Sequence, residues 1–323
     1  LSEDEEIAFA ILEALAIAMV HPDLRRRFNV LQHIGVAVLS VDDIAGAVAN
    51  LDITLGTALD DLPPPLDSES ARSMLWAQLG RLVKRLSDSQ RDVISDQIAG
   101  VPLVPTRRQT LAAADTTRRA DDPTAKLFDV FLCADPLLDA GLLTGDAEPL
   151  SSVCGPLTVD DALEALADLD RTVTADEGFA LIEWFSKQDE LAAAQQDALA
   201  DLAIFPASDL ETCALAELAL PGDFQDVLSL ARLVHGRAAK RFGVFLESLG
   251  ARTLSLQVYV EDHALPALGS DDLPVDKRRD VVALLAQRWG EMSDDPTLRQ
   301  LVAATPIVEC ADGSWTVPTL AYF

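Results

Sequence analysis

Three short apolar strings recur along this chain at a period near one hundred residues, and that spacing limits what it can fold into more than any single residue does. They are Val101-Pro102-Leu103-Val104-Pro105, Leu202-Ala203-Ile204-Phe205-Pro206 and Thr305-Pro306-Ile307-Val308-Glu309, with Pro102, Ala203 and Pro306 in register. A second mark keeps a similar rhythm. Leu249-Gly250-Ala251-Arg252-Thr253-Leu254-Ser255 echoes Ile34-Gly35-Val36-Ala37-Val38-Leu39-Ser40, with a weaker echo at Ala140-Gly141-Leu142-Leu143-Thr144. Two marks with one period predict a repeated supersecondary unit, and such units usually build scaffolds rather than one catalytic pocket.

Each unit is expected to open with a pair of amphipathic helices. Over Ser68 to Leu86, the apolar residues Met74, Leu75, Leu79, Leu82, Val83 and Leu86 fall at helical spacing. Arg81, Lys84 and Arg85 gather toward the end, where the macrodipole favours cations. Ser87 or Asp88 reads as the cap of a second helix through Ile98, broken by Gly100 and Pro102. Ala175 to Lys187 with Asp189 to Leu202, and Lys277 to Met292 with Pro296 to Ala303, repeat the plan.

Each helix pair delivers the chain into a short strand. Asp312-Gly313 between Ile307-Val308 and Trp315-Thr316-Val317 is a strong hairpin signal. The other two copies read as longer, less regular insertions, with Thr106 to Pro123 a loop or weak helix. Arg27-Phe28 precedes Gly35 as Arg241-Phe242 precedes Gly250, so a helix is expected to end at each glycine in a left-handed cap. Leu254, Leu256, Val258 and Val260 alternate with Ser255, Gln257 and Tyr259, predicting a strand over Thr253 to Val260 with one buried face. Boundaries are expected in Asp60-Asp61-Leu62-Pro63-Pro64-Pro65, in Gly145 to Pro156 and in Gly269 to Pro274, all short of apolar residues. The expected fold class is therefore α+β, a helix-dominated array of about three repeats of roughly 105 residues. Its segments are 1–65, a first partial unit; 66–156; 157–270; and 271–323, a partial unit ending in a hairpin.

At 323 residues, two or three packed units are expected, and 49% hydrophobic residues argue against general disorder. Asp and Glu outnumber Lys and Arg by 53 to 25, a net charge of −28 that repels a phosphate backbone, so no nucleic-acid partner is expected. The acidic faces read as solvated surface. The apolar run from Ile7 to Val20 contains Glu13 and follows the acids at Glu3 to Glu6, which fits neither a signal peptide nor a membrane span. Cys133, Cys154, Cys213 and Cys310 lack metal or redox spacing and read as reduced, mostly buried thiols. A cytoplasmic protein without membrane contact is expected, and the chain's start at Leu1 reads as a cut from something larger.

Motifs that carry chemistry are absent. There is no dinucleotide or phosphate-cradling glycine loop, no G-x-S-x-G elbow and no HExxH. His21, His33, His235 and His263 form no metal spacing and read as surface or capping residues. The pairs Asp42-Asp43, Asp60-Asp61, Asp121-Asp122, Asp160-Asp161, Asp271-Asp272 and Asp294-Asp295 read as helix caps, since no calcium loop accompanies them. Trp184, Trp289 and Trp315 read as core. Arg25-Arg26-Arg27 and the cluster from Arg237 to Arg241 read as basic ends of equivalent helices, the functional alternative being an acidic partner surface. No catalytic, cofactor or metal residue is assigned.

The strand, turn, second strand, helix, Leu-Gly and Leu-Ser order resembles the region beyond the ATPase domain in large sacsin-like and NO VEIN-like proteins, which carry an Hsp90-type ATP-binding module. Pro102 to Pro105, Ile204 to Pro206, Pro306 to Trp315 and Phe242 to Leu256 carry the resemblance. That family's nucleotide site needs an Asn-bearing helix, a D-x-G-x-G loop and a Gly-rich lid; none is present, and Asp312-Gly313 lacks the second glycine. The resemblance implies a non-catalytic scaffold or client-binding region that needs no cofactor and engages protein partners, client polypeptides or other domains of a parent chain. The alternatives are a stand-alone hydrolase or transferase whose acids converge with His235 or His263, and a regulatory sensor whose apolar groove binds one peptide.

Overall fold

Side-chain caps mark the starts of many of the helices. In a computed structural model, which describes residues 11–19, 37–131, 137–270 and 272–321, helices make up about half of the chain and the strands form two-stranded sheets. The fold class is α+β. The chain divides into two compact units, Leu1–Asp168 and Leu169–Phe323.

In the first unit, α1 (Val41–Ala49) starts at Ser40, whose backbone N–H donates to the Asp43 carboxylate at 2.9 Å. Ser68 caps α2 (Glu69–Val83), and the Ser87 N–H donates to Gln90 Oε1 at 2.9 Å where α3 (Asp88–Gln97) begins. Gly100, at φ +78°, turns the chain into β1 (Pro102–Pro105), which pairs antiparallel with β2 (Leu111–Ala113). Next, β3 (Arg118–Arg119) pairs in parallel with β4 (Gly155–Pro156) across α4 (Asp122–Phe128) and a 3₁₀ segment, Gly145–Val153. Thr158 caps the closing helix α5 (Val159–Ala167). Ile44, Leu79, Leu103 and Leu150 meet in one core, joined by Ile11, Leu12 and Leu15 from the N-terminal apolar run. Arg72 is buried there because its guanidinium donates to the carbonyls of Leu59 and Leu66.

The second unit also alternates helices with short two-stranded ladders. Thr174 caps α6 (Ala175–Phe185), followed by α7 (Ala193–Asp201), which begins four residues later than the sequence predicts. Antiparallel β5 (Phe205–Pro206) and β6 (Thr212–Cys213) come next, then parallel β7 (Ala219–Leu220) and β8 (Arg252–Thr253), spanned by α8 (Gly236–Ser248). A helical stretch follows as α9 (Leu256–Val258), a π-helical turn (Tyr259–Ala264) and α10 (Leu265–Gly269). The last helix pair is α11 (Val275–Met292) and α12 (Pro296–Ala304), ending in the β9 (Val308–Glu309) and β10 (Trp315–Thr316) hairpin.

The three hairpins share one turn. Pro105 pairs with Leu111, Pro206 with Thr212 and Glu309 with Trp315. The N–H groups of Thr106, Ala207 and Cys310 donate to the carbonyls of Thr110, Glu211 and Ser314 at 3.0, 2.8 and 2.8 Å. Each loop ends in a left-handed residue: Gln109 at φ 57°, Leu210 at 69° and Gly313 at 82°. The expected irregular insertions in the first two copies are thus corrected to hairpins, the first with a register shift between Pro102 and Val104; Thr106 to Pro123, expected as a loop or weak helix, runs from this turn through β2 and β3 into α4. Only the third copy places glycine where the turn needs it.

Two further expectations change. Residues from Leu256 are helical rather than a strand, because the Ser255 hydroxyl accepts from the Val258 N–H and the apolar residues Val258, Tyr259 and Leu265 are buried in one core with Leu254. The counterpart of Leu254-Ser255 is Leu157-Thr158, not the stretch at Gly141: the Leu157 and Leu254 amides both donate at 2.9 Å to a parallel neighbour strand, at Arg119 and Leu220. Gly250 is the expected left-handed cap, at φ +100°, and the Ala251 N–H reaches back to the Leu246 carbonyl. Gly35, Arg25-Arg26-Arg27 and Phe28 lie outside the described residues.

Leu210 is 58% exposed, so its left-handed backbone is strained with little burial in return. Leu210→Gly is expected to raise stability by about 0.5–1 kcal/mol and Gly313→Leu to lower it by about 1 kcal/mol, read as shifts in the urea midpoint of the full chain.

Candidate functional site

The joint between each helix pair and its hairpin is where the structure concentrates close contacts. The indole Nε1 of Trp76, on α2, donates to the Leu103 carbonyl at 3.0 Å. Gly178 holds the matching place on α6, eight residues before the helix C-cap in both cases, and a Cβ there would collide with the Ile204 carbonyl. Backbone approaches side chain in one joint and backbone in the other.

A later segment then covers each of these two helices. In the first unit it is the 3₁₀ segment: Gly80 lies against the backbone of Asp146 and Ala147, and Arg81 pairs with Asp146 at 2.7 Å. In the second unit it is α8. Arg241 pairs with Glu183 at 2.7 Å, the Arg237 guanidinium lies 5.0 Å from the Phe179 ring centre, and His235 meets that ring edge-on at 5.2 Å. The cluster from Arg237 to Arg241 therefore sits at the start of a helix, not at its basic end, and two of its members face the chain's own residues.

At the third joint, no segment among the described residues lies over α11 as the covers lie over α2 and α6. Val282, Leu285, Ala286 and Trp289 of α11, with Ile307 and Arg299, line a groove of about 470 Å³. Trp289, expected in the core, is 40% exposed. Gly290 faces open space, and Arg299 makes no side-chain hydrogen bond or ion pair among the described residues.

Chemistry-bearing side chains are mostly committed to structure. The carboxylates of Asp121 and Asp295 accept from amides in the first turns of their helices, and those of Asp43 and Asp161 reach back to accept from the N-cap amides of Ser40 and Thr158. Asp60 and Asp61 lie in a 3₁₀ turn, and Asp271 lies outside the described residues. Burial raises the Asp161 carboxyl, but its bonds from the Thr158 hydroxyl and amide and from Arg118 outweigh this and hold it below the usual range. At Glu177, the bidentate Arg171 guanidinium acts first, and with the Thr174 hydrogen bonds it outweighs burial and brings the pKa to about 2.

His235 accepts from the Arg237 N–H at the start of α8. Burial lowers the His263 pKa against the pull of Asp262 and Asp226. Tyr259 is buried, and burial followed by the nearby Asp226 charge pushes its phenol up; the two groups stand outside hydrogen-bonding geometry. The Asp226 carboxylate already accepts from the Leu228 and Ala231 amides, at 3.0 and 2.7 Å. Burial pushes the Cys154 thiol up to about 12 against Arg119 and Arg118, and Cys213 is raised the same way. His21, His33 and Cys133 lie outside the described residues. Among the described residues, no group of three or more His, Cys, Asp or Glu is placed to hold a metal ion, and no helix is long and apolar enough to cross a membrane. Sequence reasoning missed Trp76, Gly80, Gly178 and Arg299; a glycine inside a strongly helical pattern was the available signal for two of them.

No family model, no curated protein and no solved structure matches this chain.

Gly80→Leu is expected to cost about 3 kcal/mol because backbone blocks the new side chain, whereas Gly290→Ala adds about 0.5–1 kcal/mol through helix propensity; thermal melts of both variants check the contrast. Glu177→Gln removes the ion pair with Arg171. Because the folded carboxylate is depressed, its contribution is fully present above about 4.5 and lost as pH falls toward about 2. The urea-midpoint gap between wild type and Glu177→Gln is therefore expected to be constant near neutrality, under about 1 kcal/mol, and to close across that acid window.

Proposed function

We propose that this chain is a repeat scaffold that binds other polypeptides, the part played by a non-catalytic client- or partner-binding region of a large cytoplasmic chaperone-like ATP-binding protein of the sacsin-like kind. The reading is supported by the likeness of three hairpins, β1–β2, β5–β6 and β9–β10, each preceded by two helices and each closed by a three-residue turn. The groove beside α11 presents apolar surface, which suits binding to an extended or helical segment of another chain. The carboxylates described above support the same reading, since caps and ion pairs occupy them. The open groove also favours a second reading, a sensor that takes one peptide.

Aggregation of a thermolabile client enzyme, followed by light scattering with and without the purified chain, tests the proposal. Suppression at near-stoichiometric ratios, without ATP, is the expected result. Unchanged aggregation together with saturable binding of a single peptide moves the assignment to the sensor, and neither effect removes the scaffold reading.

A further inference from the structure

The helix α8 carries its cations against its own dipole. Arg237, Lys240 and Arg241 stand in its first two turns, where the macrodipole disfavours positive charge, and no acid in the first turn offsets them. Arg237 lies over Phe179, and Arg241 is held by Glu183. Lys240 makes no side-chain hydrogen bond or ion pair among the described residues.

These residues border a groove of about 740 Å³ between α8 and the C-terminal end of α6. Its lining holds three cations, Lys187, Lys240 and Arg241, and two carboxylates, Glu183 and Glu247. Both carboxylates are engaged. Glu183 Oε1 accepts from Lys187 Nζ at 2.9 Å and from Arg241 Nη2 at 2.7 Å, so one negative charge serves two positive ones, and Glu247 accepts from the Thr253 hydroxyl. In a chain whose acids outnumber its bases by 53 to 25, this groove runs the other way. Val244, one helical turn beyond Lys240, lines the same groove and is 84% exposed. Beside it, Gly243 has nothing within 4 Å of an added Cβ, so no contact among the described residues calls for a glycine there.

We infer that this groove binds an acidic segment of a partner polypeptide, with a carboxylate meeting Lys240 and Arg241 and an apolar side chain covering Val244. This rests on the partner-binding reading and names the partner's chemistry. Charge selects the occupant: an added carboxylate completes the pairing that Glu183 divides between Lys187 and Arg241, and gives Lys240 the partner it lacks. Covering Val244 removes apolar surface from water, and Gly243 leaves room for a close approach. A short segment suits the groove better than a nucleic acid does. At physiological salt the Debye length is about 8 Å, so a few carboxylates respond to the groove itself, whereas a long phosphate chain runs out over a protein of net charge −28.

The probe is a rhodamine-labelled peptide of repeated Glu-Glu-Leu triplets, with Gln-Gln-Leu triplets as its neutral control. Fluorescence anisotropy with the full chain is expected to show saturable binding of the acidic peptide, at least about tenfold tighter than the control. Lys240→Glu and Val244→Glu, both at exposed positions, are each expected to weaken it about tenfold. Glu183→Gln frees Lys187 and Arg241 and is expected to tighten binding about threefold, a gain that general misfolding does not produce. Gly243→Leu is expected to weaken binding at least about tenfold without lowering the thermal midpoint, because leucine fills the groove and favours the helix. No saturable binding, or equal binding to wild type and Lys240→Glu, overturns the inference. So does a single-stranded DNA oligonucleotide that binds more tightly than the peptide and is lost in Lys240→Glu, which gives the groove to phosphate. If the peptide fails while wild type still suppresses client aggregation, the groove assignment falls alone.

Discussion

A ladder two to four residues long holds too few hydrogen bonds to stand by itself in water, so each hairpin depends on the helix pressed against it. Where Trp76 donates to the Leu103 carbonyl, that dependence is a single directional bond; where Gly178 meets the Ile204 carbonyl, it is bare backbone contact. Both solutions place the strand at a fixed height on the helix. The turn that follows, the parallel bridge at Arg118 or Ala219 and the covering segment inherit that height. A shift of one helical turn would separate Arg81 from Asp146 at the first joint, or Glu183 from Arg241 at the second.

Much of the helical framework was legible in the residues. Ser68, Ser87, Thr158 and Thr174 stand before apolar stripes, and each takes its place at a helix start because a hydroxyl or a returning carboxylate or amide satisfies free N–H groups. The last hairpin was legible because Gly313 states its backbone conformation. The first two were not, since Gln109 and Leu210 adopt that conformation against their own preference, held by the flanking strand pairs. Alternation misled at Leu254 to Val260: four apolar residues at a spacing of two also lie on the broad apolar side of a buried helical stretch, and the Ser255 cap decides between the two.

The joints themselves were the least legible part. A cover is defined by residues far apart in sequence, and Asp146 with Glu148 and Pro149 reads locally as a linker. Acidic pairs that look like clusters along the sequence are dispersed by folding, one carboxylate to each helix start, so that their charge is used against the macrodipole rather than pooled. Arg299, by contrast, carries no sequence signal at all; only the empty space beside it marks it out.

In both closed joints the covering segment lies C-terminal to the helix it covers, by 65 residues from Arg81 to Asp146 and 58 from Glu183 to Arg241. At synthesis rates of about 5–20 residues per second, each helix leaves the ribosome several seconds before its cover exists. The chain therefore matures in a fixed direction, and both closed joints begin life uncovered. Through that interval the proper cover competes with any other amphipathic stretch emerging nearby, so the pace of translation bears on how often each helix meets its own cover.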